Sequence, residues 1–235
     1  MEWQNWAGNI RFTPNQIARP RNTQEVLDLV KTGRKIRCIG TGHSWSELAK
    51  TDDMLMATDE LNQILSIDKI TNTATIQAGA KLENLNIELW ESGYAFSNLG
   101  SIARQSLAGA ISTGTHGTGL NHQVLGSMVE NFKLVKADGE LLSIDKKANP
   151  ELFKNALISL GSLGIVTEMT IKIVPKFQLH ERSGIMNFEE VCDNILDWVA
   201  EENHIKMWWF PHTDKMMVYR YNHSYEPVDD TWFRQ

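Results

Sequence analysis

From Asn98 to Gly119 the chain reads Asn-Leu-Gly-Ser-Ile-Ala-Arg-Gln-Ser-Leu-Ala-Gly-Ala-Ile-Ser-Thr-Gly-Thr-His-Gly-Thr-Gly. So many Gly, Ser and Thr residues predict no stable helix there. Structureless connections longer than about 12–15 residues are usually either functional or disordered. Leu107, Ala108, Ala110 and Ile111 are spread through the run and argue against disorder. Small residues let a flat or bulky group pack directly on the backbone. Hydroxyls at Ser101, Ser106, Ser112, Thr113 and Thr115 offer polar contacts to such a group. A tightly packed turn and strand is the alternative.

Two more glycine turns flank this run. Ile39-Gly-Thr-Gly-His-Ser-Trp45 follows an apolar strand signal, and Gly161-Ser-Leu-Gly-Ile-Val166 joins a helix signal to a strand signal. Glycines at 40 and 42 allow a tight turn that points backbone N–H groups at an anion. The segment matches neither standard phosphate loop. The dinucleotide fingerprint needs a third glycine where Trp45 stands, and the P-loop needs a Lys-Ser/Thr pair that is missing. Taken together, the three turns suggest one phosphate-bearing ligand longer than a single loop. A plain strand-ending turn is the alternative for each one alone. His43 and His116 each sit beside a glycine, where a histidine can meet a ligand or merely satisfy the loop. No metal-ligand spacing and no nucleophile elbow is present in the sequence.

Composition narrows the class. A length of 235 residues allows one large or two small domains, and 42% hydrophobic with 22% charged residues is ordinary for a globular chain. A net charge of −6 disfavours a nucleic-acid binder. Cys38 and Cys192 cannot make a disulfide framework, and they suit a reducing compartment. The first residues carry no signal-peptide pattern, and no apolar run reaches the roughly 20 residues of a membrane span. A cytoplasmic location is expected, with peripheral membrane association left open.

Strand and helix signals mix without a clean β-α-β repeat, which predicts an α+β fold. Helices are expected after Asn22-Thr23, over Leu82–Trp90, from Asn149-Pro150 through Leu160, and after a capping box at Asn187 and Glu190. Strands are expected at Lys35–Ile39, Thr73–Gln77, Leu163–Val174, Ile205–Phe210 and Met216–Tyr221. A hairpin is expected around Asp138-Gly139. All 16 glycines lie at or before Gly184, whereas ten of the 20 aromatics lie after residue 185. That switch places a boundary near 178, dividing the chain into 1–178 and 179–235. Trp208 and Trp209 point to opposite faces of a strand, one of them expected in the core.

Gly40-Thr-Gly-His-Ser44, followed by Gly100-Ser-Ile, Ser106-x-Ala-Gly109 and Ser112-Thr-Gly-Thr-His-Gly117, resembles the PCMH-type FAD-binding domain of the vanillyl-alcohol-oxidase kind. Within it the chain is most similar to the sugar-1,4-lactone oxidases, with alditol oxidases nearby. Met207-Trp-Trp-Phe-Pro-His-Thr-Asp214 resembles the start of their substrate domain. The resemblance implies a two-subdomain FAD-binding domain, then the opening of an α+β cap domain.

It also implies roles. Cys38, Ile39, Gly40, Thr41, Gly42, His43 and Ser44 surround the FAD pyrophosphate, and His43 bonds covalently to the flavin 8α-carbon. Ser101, Ser106, Gly109, Thr113, Gly114, Thr115 and His116 line the flavin and its phosphates, with Ser101 also facing substrate. Gly164 and Ile165 hold the adenosine end. The implied reaction is hydride transfer from C2 of an aldono-1,4-lactone to flavin N5, with oxygen or another acceptor reoxidising the cofactor, as in ascorbate-type synthesis. Family chains continue well past 235 residues and bring the substrate base from that later part, so no catalytic base is assigned. An alditol oxidase acting on a polyol, or a flavin-binding module without catalysis, is the alternative.

Overall fold

The computed structural model describes residues 2–226. The expected second domain runs to residue 235, and its residues 227–235 lie outside the described residues. The chain divides into two units, one holding residues 2–116 and 124–174, the other 117–123 and 175 onward.

The first unit opens with β1 (Trp3–Gln4) and β2 (Arg11–Phe12), an antiparallel pair. β3 (Gln16–Ala18), α1 (Thr23–Val30), β4 (Ile36–Ile39) and β5 (Met54–Ala57) follow, and the three strands form a parallel sheet in the order β3-β5-β4. The α1 cap is reciprocal. Asn22 Oδ1 accepts from the Glu25 N–H at 2.9 Å, and the Glu25 carboxylate accepts from the Arg21 N–H at 2.9 Å. Met54-Leu-Met-Ala57 is buried throughout, as a central parallel strand with both faces covered should be.

β6 (Ile64–Asp68), β7 (Thr73–Gln77), α2 (Leu82–Glu91), β8 (Tyr94–Ala95), α3 (Leu107–Ser112), β9 (Val129–Val135), β10 (Leu141–Asp145), α4 (Pro150–Leu157), β11 (Ile165–Lys172) and β12 (Val174–Pro175) complete that unit. Five of these strands form an antiparallel sheet in the order β10-β9-β11-β7-β6. Leu82, Leu85 and Leu89 of α2, Leu107 and Ile111 of α3, and Phe132 of β9 meet in one buried cluster. The β9–β10 turn is the expected hairpin, with the Lys136 N–H donating to the Glu140 carbonyl at 2.9 Å.

Three expectations fail locally. The small-residue run does contain a helix, α3. Tertiary packing overrides propensity there, because Leu107, Ala110 and Ile111 are buried and the first N–H groups of α3 donate to Ala80 and Ala78 carbonyls. α4 ends at Leu157 rather than Leu160, because the chain turns left-handed at Leu160, φ 53°. The long strand expected from Leu163 to Val174 begins only at Ile165 and breaks after Lys172.

The second unit contains β13 (Gln178–Asn187), α5 (Phe188–Glu201), β14 (His204–Trp209) and β15 (Lys215–Ser224) in an antiparallel sheet ordered β13-β15-β14. The capping box is not made: Asn187 makes no side-chain cap, and its amide oxygen accepts from the Lys215 ammonium instead. Val191 and Val218 are buried between helix and sheet. Neither Trp208 nor Trp209 is core, since each is 52% exposed. Trp209 leans on Phe188 at the start of α5, and Trp208 meets Tyr219 edge-on at 5.4 Å. With one helix on one face, this sheet has no second layer among the described residues to bury Trp208, and Trp209 sits at the strand end beside the start of α5.

Candidate functional site

The site begins where β4 ends. The carboxyl end of a parallel strand is where α/β folds place ligands, since the chain turns there with its N–H groups unspent. Thr58 holds that end in place: its N–H and its hydroxyl both donate to the Ile39 carbonyl, at 3.0 and 3.2 Å. The next residue, Gly40, lies so close to α3 that a Cβ would overlap Ser106 Oγ. Glycine is thus required at 40 for contact between the two small-residue segments. Across the site, Gly164 has φ 150° and would drive a Cβ into the Val135 carbonyl.

These segments enclose a cleft of about 780 Å³ within the first unit. That lies at the large end of the roughly 300–1,000 Å³ usual for small-molecule and cofactor sites. Of the residues singled out from sequence, Cys38 to Ser44, Ser106, Gly109, Thr113, Gly164 and Ile165 line it. Ser101, Gly114, Thr115 and His116 do not line it. Ser101 is exposed, Thr115 accepts from the Gln105 side-chain amide at 3.3 Å, and Gly114 faces Ile158.

The charge of the lining departs from that of the chain. Arg34, Arg37 and Lys136 border the cleft, and no Asp or Glu among the described residues does. Arg34 is engaged with Asp53, to which its Nε donates at 2.8 Å, and this holds the Asp53 carboxyl below the usual carboxylate range. Lys136 is paired with Asp138 and Glu140 just outside the lining, which leaves Arg37 as the cation that can meet an anion. One end of the cleft is apolar, walled by Val30, Ile36, Val135, Leu163 and Ile165. Of these walls the sequence marked Ile165; Val30, Ile36, Val135 and the cations were missed because they come from α1, β4, β9 and the segments beside them, none of which carries a motif. Asn5 and Trp3 were also missed, although the Trp-Gln-Asn-Trp opening could have marked them.

Cys38 opens onto the cleft, and the protein packed around it pushes its thiol up to about 12, chiefly by desolvation, with a backbone hydrogen bond from Ile39 opposing. Its side chain forms part of the cleft wall. His43 sits half-buried, its ring stacked on Trp6 with centroids 5.3 Å apart. Elsewhere, no group of three or more His, Cys, Asp or Glu residues that could hold a metal occurs among the described residues. No described helix is long and apolar enough to cross a membrane.

The residues fit a dinucleotide-sized group. There are glycine turns that side chains would block, a lining without carboxylates, and apolar walls for a base. Comparison with known proteins agrees. The sequence model of a family described as FAD binding domain matches residues 14–145, and one described as D-arabinono-1,4-lactone oxidase matches 169–235. The chain is 37% identical to a D-arabinono-1,4-lactone oxidase of Eremothecium gossypii, over 97% of this chain and 44% of that protein. It is 32% identical to an L-gulonolactone oxidase of Mus musculus, over 99% of this chain and 54% of that protein. It thus spans about half the length of these relatives. Among solved structures, a mutant cholesterol oxidase from Brevibacterium sterolicum superposes with a TM-score of 0.85 at 23% identity, over 96% of this chain and 48% of that one. That likeness is one of fold.

Proposed function

The chain belongs to the FAD-binding domain family, and from that premise we propose that it is the cofactor-holding portion of a sugar-1,4-lactone oxidase. The observation that carries the reading is the cleft itself, lined by glycine turns and cations with no carboxylate among its lining residues. The diphosphate of FAD needs N–H donors and positive charge, and Gly40–Ser44 with Arg37 offer both. Val30, Ile36, Val135 and Ile165 offer the adenine an apolar slot that excludes water. Ser106 and Thr113 present hydroxyls along the cleft. When bound, the flavin supplies the two-electron chemistry, and the protein supplies orientation and dielectric.

Two finer assignments belong to the same reading. His43 is the residue that bonds to the flavin, since it follows Gly42 directly in the cleft-lining turn. Ser101, exposed to solvent, is assigned to the lactone together with residues beyond this chain. Ser101, Gly114, Thr115 and His116 keep their family-implied roles only if the bound cofactor extends past the cleft lining.

The test is direct. The purified protein should carry FAD, seen as flavin absorbance. In its full length it should reduce a dye with D-arabinono- or L-gulono-1,4-lactone and not with xylitol. A colourless protein that takes up no added FAD would overturn the cofactor reading. Turnover of xylitol above either lactone would replace the lactone with a polyol.

A further inference from the structure

We propose that Asn5 and Trp6 are positioning residues that aim the His43 ring for its bond to the flavin. This rests on the assignment of His43 made above. The carbonyls of the residues before and after His43 are both held by the N-terminal turn. The Trp6 N–H donates to the Gly42 carbonyl at 2.9 Å, and Asn5 Nδ2 donates to the Ser44 carbonyl at 2.9 Å. A residue whose chain is held on both sides has less backbone freedom. The ring is held as well, because Trp6 stacks on it with planes 20° apart.

Asn5 is itself fixed. It is 4% exposed, its Nδ2 also donates to Asn9 Oδ1 at 2.8 Å, and its Oδ1 accepts from the Ile10 N–H at 3.1 Å. Every one of these bonds is local to residues 5–10 except the bond to Ser44, so the long-range use of this buried amide is to hold the His43 loop. Trp3 closes the arrangement from beneath, where a Cβ on Gly42 would stand 3.0 Å from Trp3 Cζ2. Trp6 is 63% exposed. An indole left in water contributes little to the core, and its ring contact here is with His43.

The bond at stake joins an imidazole nitrogen of His43 to the flavin 8α-carbon. One N–H and one C–H bond are replaced by one N–C bond. The two electrons and two protons released pass through the ring system to dioxygen, which leaves as hydrogen peroxide. Such a step depends on near-attack geometry, where misplacement by about 1 Å can cost about 100-fold in rate. Holding the nucleophile's ring is therefore worth more than its contribution to stability.

The experiment follows flavin linkage in purified protein incubated with FAD in air. Linked flavin is read as fluorescence on a denaturing gel, and total bound flavin as absorbance of the native protein. Wild type should link. H43A should bind FAD and link none. W6A should bind FAD as wild type does and link it about tenfold more slowly or worse, and N5D should lower linkage per bound flavin by a similar factor. W6F, which restores a ring face, should recover most of the rate. Wild-type linkage in W6A and N5D would overturn this inference and leave His43 standing. Total flavin falling in parallel with linkage in W6A and W6F would mean a structural role and also overturn it. Wild type that releases all its flavin on denaturation would overturn the His43 assignment, and this inference with it.

Discussion

The two units use their apolar residues differently. In the first, 20 residues from both helices and sheet close into one buried cluster, and a second cluster under α1 adds Val26, Val30, Met56, Leu61, Val135 and Ile165. In the second unit, among the described residues, only Val191 and Val218 are buried hydrophobics, while Leu196, Trp208, Trp209 and Ile185 stand at the surface. A helix on one face of a sheet makes two layers with one face of the sheet uncovered. On that face Lys206 Nζ lies 5.0 Å over Trp208 and 4.5 Å over Tyr219, so a cation occupies the surface that a further layer would cover. The first unit thus has a buried core behind its cleft, and the second is one sheet with one face uncovered among the described residues.

The sharpest way to break that contrast is to truncate matching residues. Leu85 is wholly buried in α2, and Leu85→Ala should cost about 2–5 kcal/mol of the first unit's stability. Trp208→Ala removes a larger side chain, yet it should cost about 1 kcal/mol or less, because what is lost is an exposed ring and its cation contact. Urea unfolding of both variants checks this. Equal costs would mean that the second unit's sheet face is covered in solution.

The cleft can be tested at a smaller scale. Gly40→Ala should lower FAD affinity about tenfold or more, since the new methyl must displace Ser106 or shift the strand end that shapes the site. Ser106→Gly removes the atoms in the way, so the double variant should recover most of that loss. The two changes would then be strongly non-additive. Simple additivity in FAD titration would show that the two segments do not meet as described.

That contact also explains what the sequence could and could not reveal. The glycine turns were legible because Gly40 and Gly164 answer demands, a close approach and a backbone angle, that only one residue type meets. α2 and α1 were legible from their spacing and caps. α3 was not, because its stability comes from Ala78 and Ala80 carbonyls and from a buried face, all contributed by other segments. The parallel strands Gln16–Ala18 and Met54–Ala57 were missed although the second is a continuous apolar run, the pattern of a strand covered on both sides. β13 was missed for the opposite reason. Gln178–Asn187 is polar, mostly exposed at a sheet edge, and its pairing with β15 over ten residues has no local signature. The cations at 34, 37 and 136 became a site feature only when folding brought them to one cleft.

The last and smallest contrast lies in pH. His122 stacks on His204 with centroids 4.9 Å apart, and His204 Nδ1 bonds the Thr118 carbonyl at 2.8 Å. Burial, and then the fields of His204 and His223, hold His122 below its usual 6.5. In the unfolded chain it takes a proton near 6.5, while in the folded second unit it resists. The unfolded state therefore binds more protons, and the second unit should lose stability as the pH falls below 6.5, with the loss complete once His122 protonates in the fold. The first unit's shifted groups work lower down. Asp53 is held below 3.8 by Arg34, Asp68 by the Ile70 N–H and Asp145 by the Ala148 N–H. Their stabilisation is present above 3.8 and disappears only as the pH falls through those lowered values. Acidification from neutral to about pH 5 should therefore loosen the second unit and leave the first unchanged. Hydrogen exchange resolved by segment reads the two separately. His122→Gln should flatten the response in residues 175–226, and an undiminished response in that variant would assign the titration to another group.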